Sequence, residues 1–331
     1  MLRTFFKFAV LCSLLFPLPV SAAWRLTRTI DLPAEPWRFT FSPDGIHLAV
    51  AYKTGIVEIR DFKTIQIVHR FQAHENPIGS LYYARSGDWL FTVARTGKIW
   101  STQDWSKVAE VPYVKFHGNF TPDGRWIVGL NGDRQAMIWD YKSGGVVADL
   151  ELDGGIYQIA FTADGKYLLT AVSRRSMILD LTSGAVIDPK AFGKKRTQLR
   201  AKRTGKESVT LSIGSFADDD APVHLIEPGR KKPLAALGRA WAGQQEFVDV
   251  INLSKMRRVA RLKPKEGVTH ISFSHDDSLI AIQGSKATVW RIKRKKKIAS
   301  LEGSGRVVFS NQSYDLLVAD GPSLRVYSPD R

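Results

Sequence analysis

One turn recurs along this chain and constrains its fold more than any other feature. Phe41-Ser42-Pro43-Asp44-Gly45 returns as Phe120-Thr121-Pro122-Asp123-Gly124 and as Phe161-Thr162-Ala163-Asp164-Gly165. Weaker copies read Tyr83-Ala84-Arg85-Ser86-Gly87, Phe273-Ser274-His275-Asp276-Asp277 and Phe309-Ser310-Asn311-Gln312-Ser313, with a faint one ending at Gly205. The last residues fall at 45, 87, 124, 165, 205, 277 and 313, so successive gaps are 42, 37, 41, 40, 72 and 36 residues. The long gap equals two ordinary ones. In the clearest copies a proline presets φ and a terminal glycine accepts the tight exit.

The segments around each turn repeat as well. An apolar run follows, as in Leu48-Ala49-Val50-Ala51, Leu90-Phe91-Thr92-Val93 and Leu279-Ile280-Ala281-Ile282. About ten residues later comes another, such as Val57-Glu58-Ile59, Met137-Ile138-Trp139-Asp140 or Val289-Trp290-Arg291-Ile292. A polar turn then leads to a further segment like Gly145-Val146-Val147-Ala148-Asp149-Leu150. Four short strands in each repeat of about 40 residues, with little helical periodicity, predict an all-β propeller with one four-stranded blade per repeat.

The FSPDG-type turns, Ile138-Trp139-Asp140 at a third-strand end and His74 after Phe71-Gln72-Ala73 resemble the WD-repeat β-propeller family. The resemblance runs from about Trp37 onward. Members of that family pair a Gly-His before the first strand with Trp-Asp after the third; here His74 and Asp140 match, in different blades. A divergent bacterial WD-like or TolB-like propeller fits the same residues.

Blade number reads as seven or eight. Third-plus-fourth-strand units stand near 57–70, 97–111, 137–150, 176–189, 223–237, 247–262, 287–301 and 324–331. Either one blade of eight is short, or a seven-bladed ring carries an insertion near 215–245. The last unit lacks a fourth strand, and Arg25 to Leu32 has the composition to supply it. That pairing would close the ring and remove open sheet edges.

Residues 1–22 read as a cleaved signal peptide and 23–331 as a single propeller domain. Arg3 and Lys7 precede an apolar run from Phe8 to Val20, and Val20-Ser21-Ala22 offers small residues before a cut at Ala22/Ala23. The run is short for a membrane span, and Pro17 and Pro19 disfavour an uncleaved anchor. Cys12, the one cysteine, would leave with the signal, so the mature chain has no disulfide, thiolate ligand or cysteine nucleophile. A ring of this length has core enough without them. The expected setting is the bacterial periplasm, or secretion.

Charge is unevenly spread. The chain carries +16, yet residues 190–297 hold 25 Lys/Arg against 10 Asp/Glu. The clusters are Lys194 to Arg196, Arg200 to Arg203, Arg230-Lys231-Lys232, Lys255 to Arg258 (with Arg257) and Lys293-Arg294-Lys295-Lys296-Lys297. The last three are expected at third-to-fourth-strand turns of successive blades, forming one rim patch. Such a patch would attract anionic lipid, lipopolysaccharide or an acidic protein; the plainer account is a solvated basic edge. Nucleic acid is the weakest fit, because the lysine run lacks interleaved aromatics.

No catalytic, cofactor or metal motif stands out. The seven histidines show no helical zinc spacing, and there is no Gly-x-Ser-x-Gly, phosphate loop or haem attachment motif. Asp44, Asp123, Asp164 and Asp276 recur as turn residues, and Asp218-Asp219-Asp220 reads as a solvated acidic loop rather than a cation ligand.

One position, compared around the ring, suggests a binding site. Three residues before each aromatic turn residue stand Arg38, Ser80, His117, Gln158, Gln198, His270 and Arg306, preceded in places by Trp37, Phe116 and Tyr157. First strands line the central channel, so these polar groups should open on its mouth and suit an acidic peptide or small anion. The plainer account is that they satisfy strand ends at solvent. The expected function is an exported, monomeric, non-catalytic binding or scaffold propeller with protein partners in the cell envelope. The alternative is an enzyme or small-ligand-binding propeller with its site at the channel mouth.

Overall fold

A computed structural model describes residues 23–330 except 113, 116, 134, 151–155, 173–174, 182–184, 188–196, 199, 204–208, 213–222, 240–245, 256 and 266. The expected signal segment with Cys12, the cluster Lys194 to Arg196 and the acidic run Asp218 to Asp220 lie outside the described residues.

Seven sheets succeed one another, each with four consecutive antiparallel strands running from the channel outward. Blade 1 comprises Pro36–Phe41, His47–Tyr52, Ile56–Asp61 and Ile67–Gln72, and blade 2 Ser80–Tyr83, Trp89–Val93, Gly97–Ser101 and Lys107–Val111. Blade 3 spans Gly118–Phe120 to Gly145–Leu150 and blade 4 Ile156–Phe161 to Ala185–Ile187. Blade 5 comprises Val223–Pro228, Leu234–Arg239, Phe247–Asn252 and Arg257–Leu262, and blade 6 runs from His270–Phe273 to Lys296–Leu301. Blade 7 holds Val307–Phe309, Leu316–Asp320 and Ser323–Pro329, and its outer strand is Trp24–Asp31 from the start of the chain.

Of the two blade counts the sequence allows, the described residues form seven. The units near 223–237 and 247–262 are the two halves of blade 5, joined by the pairing of Leu234–Arg239 with Phe247–Asn252. Gly205, where the faint repeat ends, lies outside the described residues. Tyr167, Leu169 and Ile178 of blade 4 pack directly against Ile226, Leu237 and Ile251 of blade 5, so the extra length falls before blade 5 rather than near 215–245. Within it, Thr197–Gln198 pairs with the outer strand of blade 4, and Val209–Ser212 lies parallel to the outer strand of blade 3 at Asp149 and Thr210.

The core is divided between the blades. Seven apolar clusters among the described residues correspond to the seven interfaces of a closed ring. Alternation along a strand sends neighbouring side chains to opposite faces. In blade 1, Leu48, Val50 and Tyr52 pack toward blade 7, and Ala49 and Ala51 toward blade 2. Ile30 joins the cluster between blades 7 and 1 beside Leu324 and Val326, all nearly inaccessible to solvent. Asn311 of blade 7 donates to the carbonyls of Phe41 and Ser42, and Gln312 to that of Pro43.

The repeated turn is built the same way each time. His47 N–H donates to Ser42 Oγ at 2.9 Å and Ile46 N–H to Asp44 Oδ1 at 3.0 Å, while Gly45 takes φ 72°. Thr121 with Asp123, Thr162 with Asp164 and Ser274 with Asp276 repeat it. These hydrogen bonds hold the carboxyls of Asp44, Asp123 and Asp276 below the usual carboxylate range, Asp276 at about 2. Blade 6 has Asp277 where blades 1 to 4 have glycine, at φ 58°, a conformation that strains a residue with a Cβ. Its carboxylate accepts the backbone N–H groups of Arg230, Lys231 and Lys232 at 2.7, 2.8 and 2.6 Å.

His74 enters a buried network rather than a surface site. Its Nε2 lies 2.8 Å from Thr92 Oγ1, which also accepts Trp100 Nε1–H at 2.9 Å. Asp140, the other matched residue, accepts Lys142 N–H in its own turn.

Two outcomes are expected from this packing. Deleting residues 23–34 exposes the edge at Val326 and removes Ile30 from its cluster. At roughly 1.5–3 kcal/mol per buried aliphatic side chain, plus the lost ladder, several kcal/mol should go. A truncated chain that stays monomeric by light scattering and melts like the parent would rule out a structural role for the pairing. Thr92→Val keeps shape but leaves Trp100 Nε1–H without its acceptor and His74 Nε2 without its hydroxyl partner. It should lower stability by about 1–3 kcal/mol in urea unfolding, and an unchanged midpoint would contradict the network.

Candidate binding site in the central channel

Inner strands run toward the face that carries the repeated turns. Backbone bonds from Leu253 N–H to Pro233 O and from Ile292 N–H to Ser278 O tie third-to-fourth-strand turns to the repeated turns, so both sets share that face. The polar positions singled out in the sequence stand at the opposite ends of the inner strands.

Those residues divide by role. Ser80 is buried, with Oγ 3.4 Å from His117 Nδ1. Gln158 staples blade 4 to blade 5, donating to Ile226 O at 2.6 Å and accepting Ile226 N–H at 2.9 Å. Gln198 is a correction: its backbone pairs with Ala185 on the outer side of blade 4, away from any inner strand. Tyr157 lies in the inner strand of blade 4, its side chain outside the described residues. Phe116 is also outside them.

Trp37, Arg38, His270 and Arg306 form the remaining group, on blades 1, 6 and 7. Trp37 is exposed, and its ring sits under two cations, Arg38 Cζ at 5.2 Å and Lys53 Nζ at 5.1 Å from the centroid. Arg38 donates from Nε to Gly79 O at 2.9 Å and from Nη1 to Trp37 O at 2.8 Å. Burial and the charge of Arg306 pull its pKa down to about 10. Burial, Arg306 and Arg38 push His270 down to about 3, so its imidazole is neutral near pH 7. His270 Nδ1 and Arg306 Nε are shut off from solvent without a hydrogen-bond partner among the described residues.

Toward the turn face lies a cavity of about 440 Å³, lined by Arg85, Glu227, Arg230, Ser272 and Arg306 among others, so Arg306 belongs both to the group above and to the cavity. Arg230 was expected on the rim, in a third-to-fourth-strand turn. It stands instead in the first-to-second-strand turn of blade 5, because Val223–Pro228 is an inner strand. Its Nη2 donates to Phe309 O at 3.0 Å and Ser272 Oγ at 3.4 Å, linking blades 5, 6 and 7. Arg85 crosses from blade 2 to the carbonyls of Ala163 and Arg230. Glu227 escaped sequence reading because its blade lacks the aromatic turn signature, reading Pro228-Gly229-Arg230 instead. Burial raises its carboxyl to about 7 against the opposing pull of Arg230 and Arg306.

The other basic residues lie farther out on the same face. Lys231 and Lys232 share the turn of Arg230, and Lys232 Nζ donates to Asp276 O at 2.7 Å. Arg257 and Arg258 begin the outer strand of blade 5, Arg258 lying 3.7 Å from Asp249. Lys293, Arg294, Lys295, Lys296 and Lys297 are exposed around the third-to-fourth-strand turn of blade 6. Among the described residues no three His, Cys, Asp or Glu side chains come close enough to hold a metal ion.

Glu227 makes stability depend on pH. Its folded value of about 7 exceeds the unfolded one, so the folded chain keeps a proton that the unfolded chain releases. Its contribution therefore weakens as pH rises between those values. Glu227→Gln should raise the thermal midpoint at about pH 8 and change little near pH 4; a difference constant across that range would contradict it.

The family profile described as the WD40 domain of anaphase-promoting complex subunit 4 matches residues 24–86. A WD repeat-containing protein, SL1-17, from Schistosoma mansoni is 30% identical over 130 residues, 37% of this chain and 42% of that protein. An uncharacterized WD repeat-containing protein from Synechocystis is 29% identical over 135 residues, 39% of each. The matches thus span less than half of these relatives. The crystal structure of the β-propeller domain of Cps50 (Swd1) from Myceliophteria thermophila superposes with a TM-score of 0.71 at 17% identity, covering 92% of this chain and 99% of that one.

Proposed function

We propose that this β-propeller, which resembles WD-repeat proteins in sequence and in fold, is an exported, non-catalytic scaffold that captures an acidic protein segment in the bacterial cell envelope. Propellers of this type generally serve as protein-interaction scaffolds. The observation that carries the reading is the group formed by Trp37, Arg38, His270 and Arg306. Trp37 offers an exposed aromatic anchor, and Arg38 and Arg306 repel each other beside a neutral His270. An acidic side chain between the guanidiniums would relieve that repulsion and could accept paired hydrogen bonds. The closed ring, with residues 24–31 as the outer strand of blade 7, holds these groups rigidly enough to need little ordering on binding. Export rests on the basic-then-apolar start of the sequence and its small residues near Ala22.

A second contact is favoured by the exposed run Lys293 to Lys297, on the same face as Lys231 and Lys232. It suits anionic lipid or lipopolysaccharide, attraction that fades as salt shortens the Debye length.

Crosslinking in native envelopes followed by mass spectrometry tests the main reading. Changing Arg38 and Arg306 together to Ala should abolish capture and leave the thermal midpoint unchanged or higher. Changing the five residues 293–297 to Gln should leave capture in place. Survival of capture in the double variant, with loss in the rim variant, would remove the channel mouth as the site.

A further inference from the structure

The channel cavity holds an unbalanced set of charges. Arg230, Arg306 and Glu227 line one cavity. Arg230 is engaged by Phe309 O and Ser272 Oγ. Asp277, whose charge also acts on Glu227 and Arg230, is occupied by the three amides of residues 230–232. Arg306 differs from Arg230. Its Nε–H is cut off from solvent and has no acceptor among the described residues. Arg38 and His270, on the neighbouring blades, bring it a further positive charge and no negative one. A guanidinium has donors in a fixed fork and no acceptor, so what it lacks is an oxygen carrying negative charge.

Glu227 supplies that charge only in part. It feels both Arg230 and Arg306, yet burial lifts its carboxyl to about 7, so near neutral pH it is divided between charged and neutral forms. The cavity, at about 440 Å³, is larger than one carboxylate or phosphate and leaves room for the group that carries it.

We propose that this cavity is an oxyanion site: Arg306 binds a carboxylate or phosphate group entering from the turn face, and Glu227 is the built-in competitor. The site rests on the reading of the channel as the binding surface and names the chemistry it selects. Glu227 sets the affinity, because an incoming anion must take over the arginine that Glu227 partly neutralises. Removing its charge should therefore tighten binding, an effect opposite to that expected of a residue that merely supports the fold.

Calorimetric titration of the full-length ring with inorganic phosphate, and separately with acetate, tests this at constant ionic strength set with sodium chloride. At least one anion should bind saturably above the chloride background. Arg306→Gln should weaken it by about tenfold or more, and Glu227→Gln should strengthen it several-fold. Preference for acetate points to an acidic side chain as the natural occupant, and preference for phosphate to a phosphorylated group. Equal binding by Arg306→Gln, no tightening by Glu227→Gln, or no saturable binding of either anion would each overturn the site. Should Arg306→Gln fail to fold by circular dichroism, Glu227→Gln decides alone. Loss of the oxyanion site with partner capture still dependent on Arg38 and Arg306 would leave the envelope scaffold standing. Saturable anion binding without capture would do the reverse.

Discussion

Every blade of this ring is apolar on both faces, and the rest of the structure follows from that constraint. A sheet with one apolar face can end against solvent, but a sheet with two must lie between neighbours. Leu48, Val50 and Tyr52 on one face of blade 1 and Ala49 and Ala51 on the other make the requirement explicit. Seven interfaces satisfy it only if blade 7 meets blade 1. The outer strand from the chain's start brings Ile30 to that seam, where Phe39 and Phe41 meet Val308 and Leu317.

Closing a ring of sheets creates a channel, and the inner strands then carry side chains that cannot all be apolar. The polar ones divide between holding blades together and remaining available. Gln158, Arg85 and Arg230 spend their donors on carbonyls of other blades. Asp277 accepts the strain of a left-handed backbone because its carboxylate organises the neighbouring turn. Arg38, His270 and Arg306 form a second cluster, in which Arg38 spends two donors on the carbonyls of Gly79 and Trp37 and Glu227 acts only on Arg306. Polar groups that link blades and the groups proposed for binding thus lie close together, some at the starts of inner strands and some in the turns that follow them.

The turn carboxylates show why charge counting alone misleads. Asp44, Asp123, Asp164 and Asp276 are committed to hydroxyls and amides within their own turns. Their hydrogen-bonding capacity is largely used locally. Arg85, Arg230 and Arg306 line the channel cavity beside them, although the turn face as a whole mixes both signs.

The fold class, the blade boundaries of repeats 1 to 4, 6 and 7, and the turn role of the recurring aspartates were legible in the sequence, because each depends on residues a few positions apart. Alternating apolar runs and a proline- or glycine-shaped turn act locally, and local signals survive in one dimension. Blade 5 was not legible: its turn, Pro228-Gly229-Arg230, lacks the aromatic and hydroxyl residues of the others, and the faint motif at Gly205 imitated a repeat. That error displaced Arg230 to the rim, put Gln198 at the channel and hid Glu227. Sequence determined that this chain makes seven-odd sheets with two buried faces. Only the tertiary structure decided which sheets are neighbours, and so which arginine is spent on a carbonyl and which still lacks an acceptor, because those contacts join residues separated by whole blades.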